Sequence, residues 1–75
     1  MMDLGKVIKG KLDLVGTDGN AVAIMANVRR ALLRAGNPRD TVDAVIAEMR
    51  SGNYDHVLYV AGVVVESDDA SDDEE

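Results

Sequence analysis

The chain has no cysteine, phenylalanine or tryptophan, and only one proline and one histidine. Without cysteine there is no disulfide, no thiolate metal site and no thiol nucleophile. A lone histidine, His56, argues against an all-protein zinc site, which draws on several imidazoles or thiolates. The only aromatic residues are Tyr54 and Tyr59, so large core anchors are scarce. No segment approaches the ~20 consecutive apolar residues of a membrane span. Asp3 comes early, and no apolar run leads to a small-residue cleavage site, so no secretory signal is visible. These absences suggest a cytoplasmic protein without a membrane or a cofactor.

What is present is one small domain. At 75 residues the chain falls in the range where one core is marginal and disulfides, metal or oligomerisation usually supplement it. With disulfides and thiolate metal sites excluded and the lone histidine arguing against zinc, self-association is the supplement expected. The net charge of −6 is unevenly distributed. Residues 66–75 hold seven acids and no base, whereas residues 1–65 hold seven acids against eight Lys and Arg. A near-neutral body, residues 1–65, therefore carries an acidic segment, residues 66–75. That segment has nothing to bury and reads as a disordered tail, solubilising in its simplest role.

Along the chain, residues 1–5 read as loose and residues 7–15 as a strand. Ile8, Gly10, Leu12 and Leu14 share one face at period two, with Lys9, Lys11 and Asp13 on the other. A glycine inside a strand suggests a bulge or a close backbone approach. Gly16, Thr17, Asp18 and Gly19 are turn chemistry. Asp18 and Asn20 are both suited to cap the helix predicted over residues 21–35. Ala21, Ile24, Met25, Val28, Ala31, Leu32 and Ala35 form its main apolar stripe. Asn27, Arg30 and Arg34 mark the opposite face, and Val22, Ala26 and Leu33 form a second apolar shoulder beside Arg29. Gly36 suits the position just past the helix.

A second helix follows, with Asn37 as its cap, Pro38 at its first position and Asp40 at its third. Val42, Val45, Ile46 and Met49 recur at helical spacing, with Asp43, Glu48 and Arg50 facing outward. Two residues of connection predict a helical hairpin. Residues 53–66 are ambiguous. Valine and tyrosine favour a strand, but Asn53 is placed to cap a helix. Gly62 would end such a helix; the expectation is a short helix or turn near residues 54–59, then a strand through residues 63–65.

Few residues carry chemistry. A glycine-containing loop at a helix start can bind an anion through backbone N–H groups. Gly19 and Asn20 offer this, with Arg29 and Arg30 further along the helix. Asp18 would compete for the same N–H groups, no Walker lysine or G-x-G-x-x-G spacing is present, and capping explains the loop. Counted as a calcium loop from Asp13, the sixth position is Asp18, where the turn needs glycine. Asp55 beside His56, with Tyr54 or Asp18, suggests acid–base work. Adjacent residues point apart, however, and Ser51 lies in no nucleophile motif. Arg29, Arg30, Arg34 and Arg39 form one basic group, and Lys6, Lys9 and Lys11 another. Neither is interleaved with aromatics, which argues against nucleic acid. A solvated face, or a docking site for the acidic segment, accounts for them.

Two stretches together resemble a group of small, uncharacterised bacteriophage and bacterial proteins. They are Asp18-Gly19-Asn20-Ala21 and Ser51-Gly52-Asn53-Tyr54-Asp55-His56-Val57-Leu58. The group carries a DGNA helix start and an SG(D/N)YDHLL-like segment, and the likeness covers residues 11–65. It implies a phage or mobile-element context, in which small cysteine-free proteins bind host proteins, nucleotide signals or themselves. It also favours helix over residues 54–58. Val22 stands where the group more often has an aromatic residue, which puts any shared pocket in doubt.

The fold expected is α+β: strand, helix, helix, short helix, strand, with the helical hairpin on a two-stranded antiparallel ribbon. The function expected is a non-enzymatic accessory protein, phage-encoded and resident in the host cytoplasm. It would bind itself or a host or phage protein, with Val22, Ala26, Arg29 and Leu33 as the interface. The alternative is a nucleotide or small-anion binder at a subunit interface, with Asp18, Gly19, Asn20, Arg30, Tyr54 and His56 as ligand candidates.

Overall fold

A computed structural model describes residues 4–12 and 19–66 of the chain. Residues 67–75, and with them the reading of a disordered tail, lie outside the described residues, as do Asp13, Leu14, Thr17 and Asp18. A 3-10 turn over Leu4–Lys6 leads into strand β1, Gly10–Lys11. Helices α1 (Ala21–Ala35), α2 (Arg39–Arg50) and α3 (Tyr54–Val64) follow, then strand β2 (Val65–Glu66). Architecture and composition together make a small α+β domain, with three helices around one core.

Helix α1 starts and stops at the residues that the sequence marks. The side-chain oxygen of Asn20 accepts from the Val22 N–H at 2.8 Å, satisfying a first-turn donor that has no partner within the helix. At the far end Gly36 takes a left-handed φ of 104°, and its N–H and that of Asn37 return to Leu33 and Leu32 carbonyls. Between them Ile24, Val28, Ala31 and Leu32 are buried, one stripe at helical spacing. Val42, Val45 and Met49 of α2 meet this stripe in a single core cluster.

Helix α2 begins one residue later than expected. Pro38 is its N-cap and makes no side-chain cap bond. The correction concerns Asn37, which is 6% exposed and is the one buried polar residue among those described. Its side chain turns away from α2 to the chain's opening segment. Its Oδ1 accepts from the Ile8 N–H at 2.9 Å, and its Nδ2 donates to the Ile8 carbonyl at 2.8 Å. A third bond runs from Nδ2 to the Leu32 carbonyl at 2.9 Å. The amide thus stands in for a neighbouring strand, meeting both backbone groups of one residue. Upstream of β1 the expected alternation fails for the same reason. Val7 is buried at 7% while Ile8 is 53% exposed, because Ile8 is held by Asn37 and not by a sheet partner. Leu4 and Gly5, expected to be loose, belong to the 3-10 turn.

Helix α3 is the larger correction. It runs through Gly62 to Val64, so residues 63 and 64 are helical and β2 begins only at Val65. Asn53 caps it, its Oδ1 accepting from the His56 N–H at 3.1 Å. Val57, Val60, Ala61 and Val64 are buried, at the i, i+3, i+4, i+7 spacing of a helix face. Packing that face against α1 and α2 outweighs the β-propensity of valine, which is worth under ~1 kcal/mol per residue. Gly62 sits on the outer side with nothing within 4 Å of an added Cβ. Gly62→Ala should therefore stabilise the protein by about 0.5–1 kcal/mol, read as a higher denaturant midpoint. A lower midpoint would place that position under packing constraint.

The length of α3 also changes the sheet. The expected antiparallel return rested on a helical hairpin followed by only a short helix. Eleven residues of α3 add a third pass of roughly 16 Å. The two strands accordingly pair parallel, Gly10 with Val65 and Lys11 with Glu66, as strands joined by a helical crossover do. The antiparallel ribbon is thus replaced by a parallel pair, and Glu66, assigned to the tail, is part of β2. Gly10 meets its expectation of a close approach. A Cβ there would lie 2.9 Å from the backbone carbon and oxygen of Ala31.

Candidate functional site

The side faces of α1 are set by the burial of its main stripe. With Ile24, Val28 and Leu32 turned inward, Val22 and Ala26 are exposed, Val22 at 69%. Arg29 lies half-buried at the edge facing α2, and its guanidinium donates to Asp43 Oδ1 at 2.8 Å. The pair spans the connection between the two helices, as the hairpin requires.

Val22, Ala26 and Arg29 line one groove of about 490 Å³, together with Met25 of α1 and Ile46 and Arg50 of α2. Its floor is apolar and its polar groups are the two guanidinium ends. Three of the four interface candidates come together here. Leu33 is 40% exposed but does not line the groove. Met25, Ile46 and Arg50 were not identified as surface residues of a site. Met25 and Ile46 read as core by periodicity, and in fact lie half-buried at its margin.

The ligand candidates do not converge. Gly19, Asn20 and Tyr54 meet at the start of α1, where the Tyr54 hydroxyl donates to the Gly19 carbonyl at 2.5 Å. The Asn20 side chain is engaged with the Val22 N–H of the first turn. Arg30 projects from α1 as an exposed residue. Asp18 lies outside the described residues.

His56 belongs to a different place, the seam between α2 and α3. Its Nε2 lies 2.9 Å from Glu48 Oε2, with both side chains part-buried. Its ring stacks on Tyr59, with centroids 6.2 Å apart. The carboxylate beside His56 is therefore Glu48, expected to face outward, and not the adjacent Asp55. The Ser51 hydroxyl donates to the Glu48 main-chain carbonyl at 2.7 Å, closing the end of α2. This cluster fastens α3 to α2 and leaves that hydroxyl engaged.

A second cleft, of about 300 Å³, lies between the opening segment and the end of α1. Ile8, Lys9, Lys11, Ala31, Arg34 and Ala35 line it. The sequence places these cations in two separate groups, and only the packing of Gly10 against Ala31 brings them together. Among the described residues no cluster of three His, Asp or Glu side chains is suited to a metal ion. None of their helices is long and apolar enough to cross a membrane. Comparison with protein-family models, with characterised proteins and with solved structures found no match.

Proposed function

We propose that this protein is a non-enzymatic accessory protein that binds another protein chain through the α1–α2 groove, first of all a second copy of itself. The observation that carries the reading is Val22, 69% exposed at the lip of a groove floored by Met25, Ala26 and Ile46. Burying such a valine is worth roughly 1.5–3 kcal/mol. Two copies related by a two-fold axis would each seat Val22 in the other's groove. The small core makes that gain valuable to folding itself. Its resemblance to small bacteriophage and bacterial proteins agrees with an accessory role in a host cytoplasm.

The anionic-ligand reading at the Gly19 loop has less support. Arg29 is engaged with Asp43, the Gly19 carbonyl with Tyr54, and the α1 cap with Asn20. Sedimentation velocity at about 100 μM, far above the Kd of a micromolar contact, tests the self-association. A dimer is expected for the unmodified chain and a monomer for Val22→Glu, with little change in Tm because the residue is exposed. A strict monomer for the unmodified chain sinks the self-association. If no partner is then recovered from host lysate, the protein-binding reading falls with it.

A further inference from the structure

We propose that the cleft formed by Lys9, Lys11 and Arg34 is a binding site for an acidic peptide segment, and that its occupant is this chain's own residues 67–75. Three cations line a cleft of about 300 Å³. Among the described residues neither Lys9 nor Arg34 has an ion-pair partner. Lys11 has one, Glu66, at 3.8 Å and well exposed. That partner is the first acid of the acidic run, held opposite Lys11 by the parallel register of β1 and β2. The chain therefore leaves the described fold beside the cleft, its first carboxylate already set against the first cation.

Chemistry and reach both fit. Residues 67–75 hold six further acids, and their one apolar side chain is Ala70. Such a segment has nothing to place in the apolar α1–α2 groove, but it complements a cationic cleft. Nine residues extend to about 30 Å, against principal extents of 38, 25 and 17 Å for the fold, so doubling back to Lys9 and Arg34 is within reach. Holding the segment within the chain also raises its local concentration far above that of any free acidic partner. An outside acidic chain would have to displace it, and the displacement would be salt-dependent because Lys9, Lys11 and Arg34 are exposed.

The test compares the full chain with a full-length variant carrying Asp68→Asn, Asp69→Asn, Asp72→Asn and Asp73→Asn. Backbone amide spectra are recorded from about 20 mM to about 500 mM salt, a range over which the Debye length falls several-fold. In the unmodified chain the amides of Lys9, Arg34 and Ala35 should move with salt. In the variant they should sit at the high-salt positions throughout. Lys9→Gln with Arg34→Gln should abolish the same salt response without altering the acidic run. Coincident low-salt spectra at these amides would overturn the proposal. So would differences centred on Met25 and Arg50, which would move the contact to the groove. A perturbation that grows with protein concentration would assign the segment to another copy and end the intrachain reading. None of these outcomes depends on whether the groove dimerises, because the Val22→Glu chain can be used throughout.

Discussion

Asn37→Ala should lower the stability of this protein by about 2–4 kcal/mol, a fall in Tm of roughly 10–25 °C for a domain of this size. One small side chain makes three hydrogen bonds, two to Ile8 and one to Leu32. Removing it takes away the one bond that satisfies the Ile8 N–H and leaves a gap where the amide is buried. Leu32 is less affected, because its carbonyl also accepts from the Asn37 N–H at 3.2 Å. Asn37→Asp separates this account from simple loss of volume. The acid keeps the acceptor for the Ile8 N–H but loses both donors, and it turns an oxygen toward two carbonyls. It should be at least as destabilising as alanine despite its similar size. Hydrogen exchange would locate the damage, since the Ile8 amide should exchange much faster in both variants. A Tm within about 2 °C of the unmodified protein would mean that water replaces the amide at no cost, and that the clamp is incidental.

Gly10→Ala carries the second large effect, a loss of about 2–3 kcal/mol. The new methyl would meet the backbone carbon and oxygen of Ala31 at 2.9 Å. Backbone within α1 cannot swing aside as a flexible side chain could, so β1 must lift away. Lifting β1 breaks its register with Val65 and Glu66 and opens the cleft at Lys9 and Lys11. Ala31→Gly should fail to rescue the variant, because it removes only the Ala31 Cβ at 3.0 Å and leaves the two nearer main-chain atoms in place. Rescue by that second change, measured by urea denaturation, would show that the Ala31 methyl was the obstacle. Set against Gly62→Ala, the same chemical change should have opposite signs at two glycines. Their difference is the space beside each, not their intrinsic conformational freedom.

Much of α1 is legible in the sequence, because its signals are local. Asn20 satisfies an N–H two residues on, and Gly36 adopts a backbone that other residues avoid. The buried stripe follows from a 3.6-residue period alone. The same periodicity found Val22 and Ala26 as surplus apolar surface. It could not find Ile46 and Arg50 beside them, because the groove exists only once α2 lies along α1. Asn37 was misassigned because an amide before a proline-started helix can serve either as a cap or as a strand mimic. Only the proximity of Ile8, twenty-nine residues away, selects between them. His56 was paired with the wrong carboxylate for the same reason. Asp55 is its neighbour in sequence, and Glu48 becomes its neighbour when α3 packs on α2.

The sequence by itself determined the helical hairpin, the Gly36 stop of α1, the mixed α+β class and the concentration of acid in residues 66–75, whereas between Asp18 and Asn20 as the cap that starts α1 the structure selects Asn20. Each of these depends on interactions spanning a few residues or on composition. Tertiary structure alone decided that the valines of residues 60–64 are helical, that the two strands run parallel, and that Lys9, Lys11 and Arg34 share a cleft. The physical reason is common to all three. Propensity separates helix from strand by under ~1 kcal/mol per residue, whereas burying a valine in the joint core of three helices is worth roughly 1.5–3 kcal/mol. Where local preference is that small, the partner surface chooses the conformation, and the chain's direction and its charged neighbours follow from that choice.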